Sequence, residues 1–278
     1  AVGDAALFSN TTASYNVAVG KDSLRFNTTG GENTAVGYQA GRSNTAGSST
    51  SYGYRALYGS NTGAGQTAIG LQTLFSNTSG QLNTAVGYNS MLYNTTGSRN
   101  VGLGHSTLFN NTTADNNVAV GYQAGYDNTT GTEVTSVGYV AAANNTTASF
   151  TTAIGSSSLH SNTTGAANVA VGAAPLYYNT TGSNNIAIGR QALFNNTTAG
   201  ANTAVGYQSL FSNTTGAGNV AVGKGALDAN TTANYNTAVG LDALGTNITG
   251  SNNNAFGETA LYSNTTGADN SAFGGFAL

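Results

Sequence analysis

One tripeptide sets the frame of this chain. A-V-G, or a close variant, recurs from Ala1-Val2-Gly3 to Ala272-Phe273-Gly274. Its glycines stand 17 residues apart at every step except Gly37 to Gly53, which is 16. Self-similarity at a fixed short period marks a repeat architecture, in which each unit is one structural module. Seventeen residues are too few for a helix pair and suit one coil of a solenoid. The consensus reads A-V-G-x-x-A-L-[FY]-x-N-T-T-G-x-x-N-[TV].

Within a unit, Asn16-Val17-Ala18-Val19-Gly20 alternates β-branched and small residues with period 2, which predicts a strand. Val17 and Val19 are expected to point inward and Ala18 to the other face. Val19 would then lie over Val2 and under Val36 in a buried apolar column. Ala6-Leu7-Phe8 reads as a second short strand with Leu7 inward, and Asn10-Thr11-Thr12 as a third extended or turn segment. Gly or Ala follows that segment in all 16 repeats, where a turn needs a small residue or one that tolerates left-handed backbone. A second Asn, such as Asn16, Asn33 or Asn83, ends the unit in 12 of 16 repeats. Together these features predict an all-β chain, a β-solenoid (parallel β-helix or β-roll) of about 16 coils, forming one continuous domain over residues 1–278. The disturbed spacing predicts a local bulge or kink at residues 45–66.

Composition supports this reading. Only 6% of residues are charged, against about 25% in typical soluble domains, and solvated helices need such charges. The 15 Tyr and 10 Phe argue against disorder. A formal net charge of −3 without a basic patch disfavours nucleic-acid binding. No apolar run approaches the roughly 18 residues of a membrane helix, so membrane insertion is not expected. No signal peptide is visible, and the chain opens inside a repeat. With no Cys, disulfides and thiolate metal sites are excluded.

No reactive constellation stands out. His105 and His160 occupy non-equivalent repeat positions without acidic neighbours at ligand spacing, and the acidic residues Asp4, Asp22, Asp242 and Glu258 read as turn charges. No phosphate-binding G-x-x-x-x-G-K-[ST] and no calcium-binding G-G-x-G-x-D is present. The expectation is therefore a non-enzymatic protein with no catalytic or metal site and no cofactor.

Asn fills one position in all 16 units: Asn10, Asn27, Asn44, Asn61, Asn77, Asn94, Asn111, Asn128, Asn145, Asn162, Asn179, Asn196, Asn213, Asn230, Asn247 and Asn264. Three readings stand. Stacked amides form a structural Asn ladder. Fourteen of the sixteen, all but Asn44 and Asn61, begin an N-x-[ST] sequon, which would carry N-glycans; glycans on adjacent rungs would crowd. Asn10 and Thr12, repeated, would make an Asn-x-Thr grid for binding ice. A second series follows the Leu: Phe8, Tyr58, Phe75, Phe109, Tyr126, Tyr177, Phe194, Phe211 and Tyr262. These aromatics would face outward. Either they stack on one another along the solenoid, or they form a lateral interface with other chains.

The string Asn33-Thr34-Ala35-Val36-Gly37-Tyr38-Gln39-Ala40-Gly41 recurs nearly intact at residues 117–125 and in variant form at 202–210. It resembles the YadA-like head repeats of trimeric autotransporter adhesins, and the N-T-A-V-G-Y-Q-A-L repeats of phage tail-fibre and environmental fibre proteins. The adhesin resemblance implies a parallel β-roll with three chains side by side and the apolar strand residues, here Val19, Val36 and their equivalents, inward. The 17-residue period is longer than the coils of those heads. The resulting expectation is an extracellular fibre or adhesin segment, on a cell surface, filament or virion fibre, that forms a homotrimer and contacts a glycan or cell-surface receptor. A head-to-tail filament is the alternative, because Ala1-Val2-Gly3 and Ala277-Leu278 carry no polar capping repeat.

Overall fold

The computed structural model describes residues 1–278 and contains strands and turns but no helix. The chain is a β-solenoid, with one strand per repeat. It divides into two compact units, Ala1–Val137 and Gly138–Leu278, built on the same plan. In the first unit the strands are Val17–Val19, Thr34–Val36, Thr50–Tyr52, Thr67–Ile69, Thr84–Val86, Val101–Leu103, Val118–Val120 and Thr135–Val137. In the second they are Thr152–Ile154, Val169–Val171, Ile186–Ile188, Thr203–Val205, Val220–Val222, Thr237–Val239, Asn254–Phe256 and Ser271–Phe273. Within each unit successive strands pair in parallel, and equivalent residues face each other: Ala18 opposite Ala35, Ala204 opposite Ala221.

The strand faces are the reverse of the sequence expectation. Ala18 is 1% exposed, whereas Val17 and Val19 are 50% and 38% exposed. The same holds throughout: the central Ala, Ser or Gly of each strand is buried and its two neighbours, most of them β-branched, look outward. Val19 does lie between Val2 and Val36 in the ladder, but that column is on the surface. The reason is width. The Leu after the framing Gly fills the coil from the opposite side, and only a methyl group fits between it and the strand. Leu193, Leu210, Leu227 and Leu244 are fully buried, in one cluster with Ala187, Ala204, Ala221 and Ala238.

The segment around that Leu is not a strand. It is a run of turns in which the second and fourth residues after the framing Gly have left-handed backbone, as at Gln191 (φ 56°) and Leu193 (φ 53°). A left-handed non-Gly residue costs roughly 1–2 kcal/mol. Each such residue gains an inter-coil hydrogen bond: the Gln191 N–H donates to the Ala173 carbonyl on one side (2.9 Å), and the Leu193 N–H to the Ser209 carbonyl on the other (2.9 Å). Neither bond exists in an isolated coil.

The framing Gly is invariant for two reasons. Its φ lies between 119° and 140°, a region that disfavours any side chain. A Cβ on Gly206 would also sit 2.5 Å from the Gly223 carbonyl oxygen. The small residue after Asn-Thr-Thr has a different cause from the one expected. Gly182 and Ala199 do not have positive φ; they are small because they are buried beside the Asn side chains. The left-handed residue falls two places later and is chemically varied, as at Tyr15, Asn184 and Asp269.

The irregularity at 45–66 is confined to loops. The strand Thr50–Tyr52 pairs in register with Thr34–Val36 and Thr67–Ile69. The Asn27 amide reaches the carbonyl of its own coil three residues on, at Gly30, whereas Asn44 and Asn61 reach it two residues on, at Ala46 and Gly63. One Thr is missing from each of those two arcs. The extra residue before Asn61 is taken up where its N–H turns to Gly59 O rather than to the carbonyl three residues back, at the Leu position, used elsewhere.

Two substitutions test this packing. Leu193→Ala is expected to lower unfolding free energy by about 2–5 kcal/mol. Gly206→Ala is expected to cost on the order of 3 kcal/mol or more, through backbone strain and overlap with Gly223. Both are read by denaturant unfolding followed by circular dichroism. A loss below 1 kcal/mol in either would contradict the assigned packing.

Candidate interaction surfaces

The Asn series is a ladder, and it is inside. From Asn27 to Asn247 these side chains are buried, most of them completely; only Asn10 is exposed and Asn264 half-buried. Asn179 shows the pattern. Its Nδ2 donates to Oδ1 of Asn162 on the preceding rung (2.8 Å) and to the Gly182 carbonyl in its own coil (2.9 Å). Its Oδ1 accepts from Asn196 Nδ2 (2.8 Å). Every polar atom is thereby satisfied, which burial demands. The same exchange runs through Asn94, Asn111, Asn213 and Asn230.

A second buried ladder lies beside it, formed by the Asn that ends each unit. The Asn185 backbone N–H donates to Asn168 Oδ1 (2.9 Å), and Asn185 Nδ2 donates to the Ala199 carbonyl (2.9 Å). Its sequence signal was the second Asn in 12 of 16 repeats. One part of the coil interior is therefore amide and the other is Ala and Leu.

This placement alters two of the sequence readings. A glycan on Asn179 would need the nitrogen that already makes two buried hydrogen bonds; Asn10 is the exception, with an exposed side chain. The Asn-x-Thr grid does not form, because only its Thr half, Thr96, Thr181, Thr215 and equivalents, faces solvent. From Thr95 to Thr231 the Thr directly after the Asn is half-buried, and Thr180 among them donates its hydroxyl to the next rung at the Thr197 carbonyl (3.0 Å).

Three surfaces remain. The first is the outer face of the strand ladder, two columns of Thr, Val and Ile flanking the buried Ala. Large side chains such as Tyr52, Ile69, Ile154, Ile188 and Phe256 stand exposed on it. The second is the aromatic series after the Leu. Its members stack along the solenoid: Tyr58 on Phe75 (5.0 Å, 3°), Phe109 on Tyr126 (4.9 Å, 6°), and Tyr177, Phe194 and Phe211 in succession (5.3 and 5.4 Å). Most are half-buried by this stacking, while Phe8 and Tyr262 remain exposed. Where the column loses its ring, Arg25 lies over Phe8 and Phe26, and Arg42 over Phe26 and Tyr58. His160 extends the column by stacking on Tyr177 (4.9 Å), and burial holds its imidazole below the usual pKa. Asp228 also stands in this column; burial, then the Asp242 carboxylate, raises its pKa.

The third surface was not anticipated. The residue after the framing Gly forms another aromatic column, with Tyr38 on Tyr54 (5.4 Å) and His105 between Tyr88 and Tyr122 (4.9 and 5.2 Å). The Tyr in the Asn-Thr-Ala-Val-Gly-Tyr string was its signal.

No family model, no curated protein and no solved structure matches this chain.

The buried ladder yields a direct expectation. Asn179→Ala leaves Asn162 Oδ1 without a partner and one Asn196 Nδ2 hydrogen unpaired, while the Gly182 carbonyl keeps its bond from Asn168 and Asn196 its bond to the Ala199 carbonyl. Unfolding free energy should fall by about 2–3 kcal/mol or more, since each orphaned buried group costs about 1–3 kcal/mol. Denaturant titration of the purified chain measures it. Thr181→Ala, on the exposed arc, should stay within about 0.5 kcal/mol of the parent.

Proposed function

We propose that this chain is a structural segment of an extracellular fibre, and that it associates side by side with copies of itself through the outer face of the strand ladder. One observation carries the reading: the residue just before the framing Gly is apolar at every rung, and it faces solvent instead of the core. An uncharged apolar stripe repeated on successive rungs exceeds the scattered exposed hydrophobics that a monomer tolerates.

The stripe also favours one partner. Its side chains repeat at the spacing of hydrogen-bonded strands, about 4.8 Å. The surface that carries apolar groups at the same interval is the same stripe on another copy, so every rung can meet a rung. Isologous and cyclic contacts between identical chains both use such a self-complementary face. The adhesin-head resemblance implies three chains side by side, and a trimer would give each stripe two neighbours. The stacked aromatic column is a weaker candidate for the lateral interface, because its rings already cover one another.

Sedimentation equilibrium tests the proposal. The parent chain is expected to be trimeric or larger at micromolar concentration. The triple variant Ile188→Lys, Val205→Lys, Val222→Lys places charge on the outer face only and should sediment as a monomer with unchanged circular dichroism. A parent chain that is monomeric at high concentration, or a variant that still assembles, would refute it.

A further inference from the structure

The second unit carries a groove of about 560 Å³ between two columns of side chains. One wall is formed by the sixth residue after the framing Gly on four successive rungs: Ser161, Tyr178, Asn195 and Ser212. The other is formed by the Thr after the ladder Asn: Thr180, Thr197 and Thr214. No ionisable acid or base lines it.

Tyr178 differs from the stacked rings. It stands at 81° to Tyr177 and 82° to Phe194, with its centroid 4.8 and 5.2 Å from theirs. Those two rings are themselves stacked at 5.3 Å. A ring perpendicular to both and about equally close to each must lie flat across their edges. One face of Tyr178 covers the stack and the other is open, and the residue is 47% exposed. The result is a rigid aromatic platform parallel to the stack.

The polar groups beside it are available in both senses. The side chains of Asn195 and Ser212 make no hydrogen bond within the chain, so an amide and a hydroxyl are free to donate or accept. The Thr180, Thr197 and Thr214 hydroxyls give their hydrogens to the next rung's carbonyl (3.0–3.1 Å). Their oxygens keep acceptor capacity toward the groove. An apolar platform, neutral donors and neutral acceptors together match a ligand with an apolar C–H face and a rim of hydroxyls.

We infer that this groove is a binding site for a neutral oligosaccharide, laid along the stack with one sugar ring on Tyr178. The absence of charge at the walls selects against anionic sugars and charged peptides, whose desolvated charges would find no partner. Extended, periodic walls suit a linear chain better than a single compact molecule. The first unit supplies an internal comparison. Tyr93 lies perpendicular to Phe109 in the same way (5.1 Å, 87°), with Thr95, Asn110 and Thr112 at the equivalent places. There the Asn110 amide donates to Asp127 (2.9 Å), which occupies the Ser212 position. That surface has no free amide and carries a carboxylate, so it should bind neutral sugars more weakly.

The site is independent of self-association, since it lies away from the strand face. The test titrates the full chain with neutral hexose and N-acetylhexosamine oligomers of three to six units, and with sialylated oligomers as the charged control, using calorimetry and saturation-transfer NMR. At least one neutral oligomer should bind, more tightly than any charged one. Tyr178→Ala should weaken it tenfold or more, Tyr178→Phe less than threefold, and Tyr93→Ala less than Tyr178→Ala. All three variants should melt like the parent. Absence of binding by every neutral oligomer at millimolar concentration would overturn the inference, as would binding unaffected by Tyr178→Ala. Preference for an aromatic or proline-rich peptide over all the sugars would overturn it too.

Discussion

The rest of the structure depends on the hydrogen bond from one rung to the next at a buried amide. A coil with an interior one Leu wide cannot rely on apolar burial alone, because the strand contributes only a methyl group per turn. The amide ladders supply what the thin apolar half lacks. Asn fits this role because its side chain is an amide like the backbone's, with one carbonyl acceptor and a second donor hydrogen the backbone lacks, on a stem short enough to hold it in place. Asn179 connects three places at once: the rung before, the rung after, and the carbonyl of its own turn. The ladder thus closes the coil and joins it to its neighbours with one side chain.

The same dependence on neighbours explains how the corners are tolerated. The left-handed residues at Gln191 and Leu193 are unfavourable in isolation, and the bonds that offset them run in opposite directions along the solenoid. Local strain is thereby exchanged for cooperativity between coils, the behaviour expected when stability is a sum over interfaces between repeats. The framing glycines belong to the same economy of space, since neighbouring turns approach too closely at Gly206 and Gly223 for any side chain.

Much of this was legible in the sequence. The period gave the solenoid, the Leu gave one wall of the core, and Asn10, Asn27 and their equivalents gave the ladder. The facing of the strand was misread because hydrophobicity favours burying Val19 over Ala18. The better signal was tolerance of size. The central strand residue is always Ala, Ser or Gly, while the position of Val19 accepts Tyr52, Leu103 and Phe256. Uniform small size marks close packing, and varied bulk marks free space. The left-handed Leu was harder to see, since nothing in Leu itself favours it. The one hint was the pair of substitutes Gly41 and Gly125, which take φ of 57° and 60° at that place. The Tyr178 platform depends on how two adjacent rings, Tyr177 and Tyr178, share space with Phe194. No repeat consensus contains that, because a Tyr at this position occurs only at Tyr93 and Tyr178, and only Tyr178 follows another ring.

The shortened arcs at Asn44 and Asn61 have an evolutionary meaning. Strand register passes through them intact, and the ladder shifts only locally, with Asn44 donating to Asn33 instead of Asn27, so the Asn-Thr-Thr arc is where a single codon can be gained or lost at least cost to the rest. Elsewhere every residue meets its own equivalent one turn away, and the only neutral change in length is a whole repeat. A gene of this kind is therefore free to lengthen or shorten by recombination between its own near-identical segments, one coil at a time. The encoded protein then changes in reach while its cross-section stays the same.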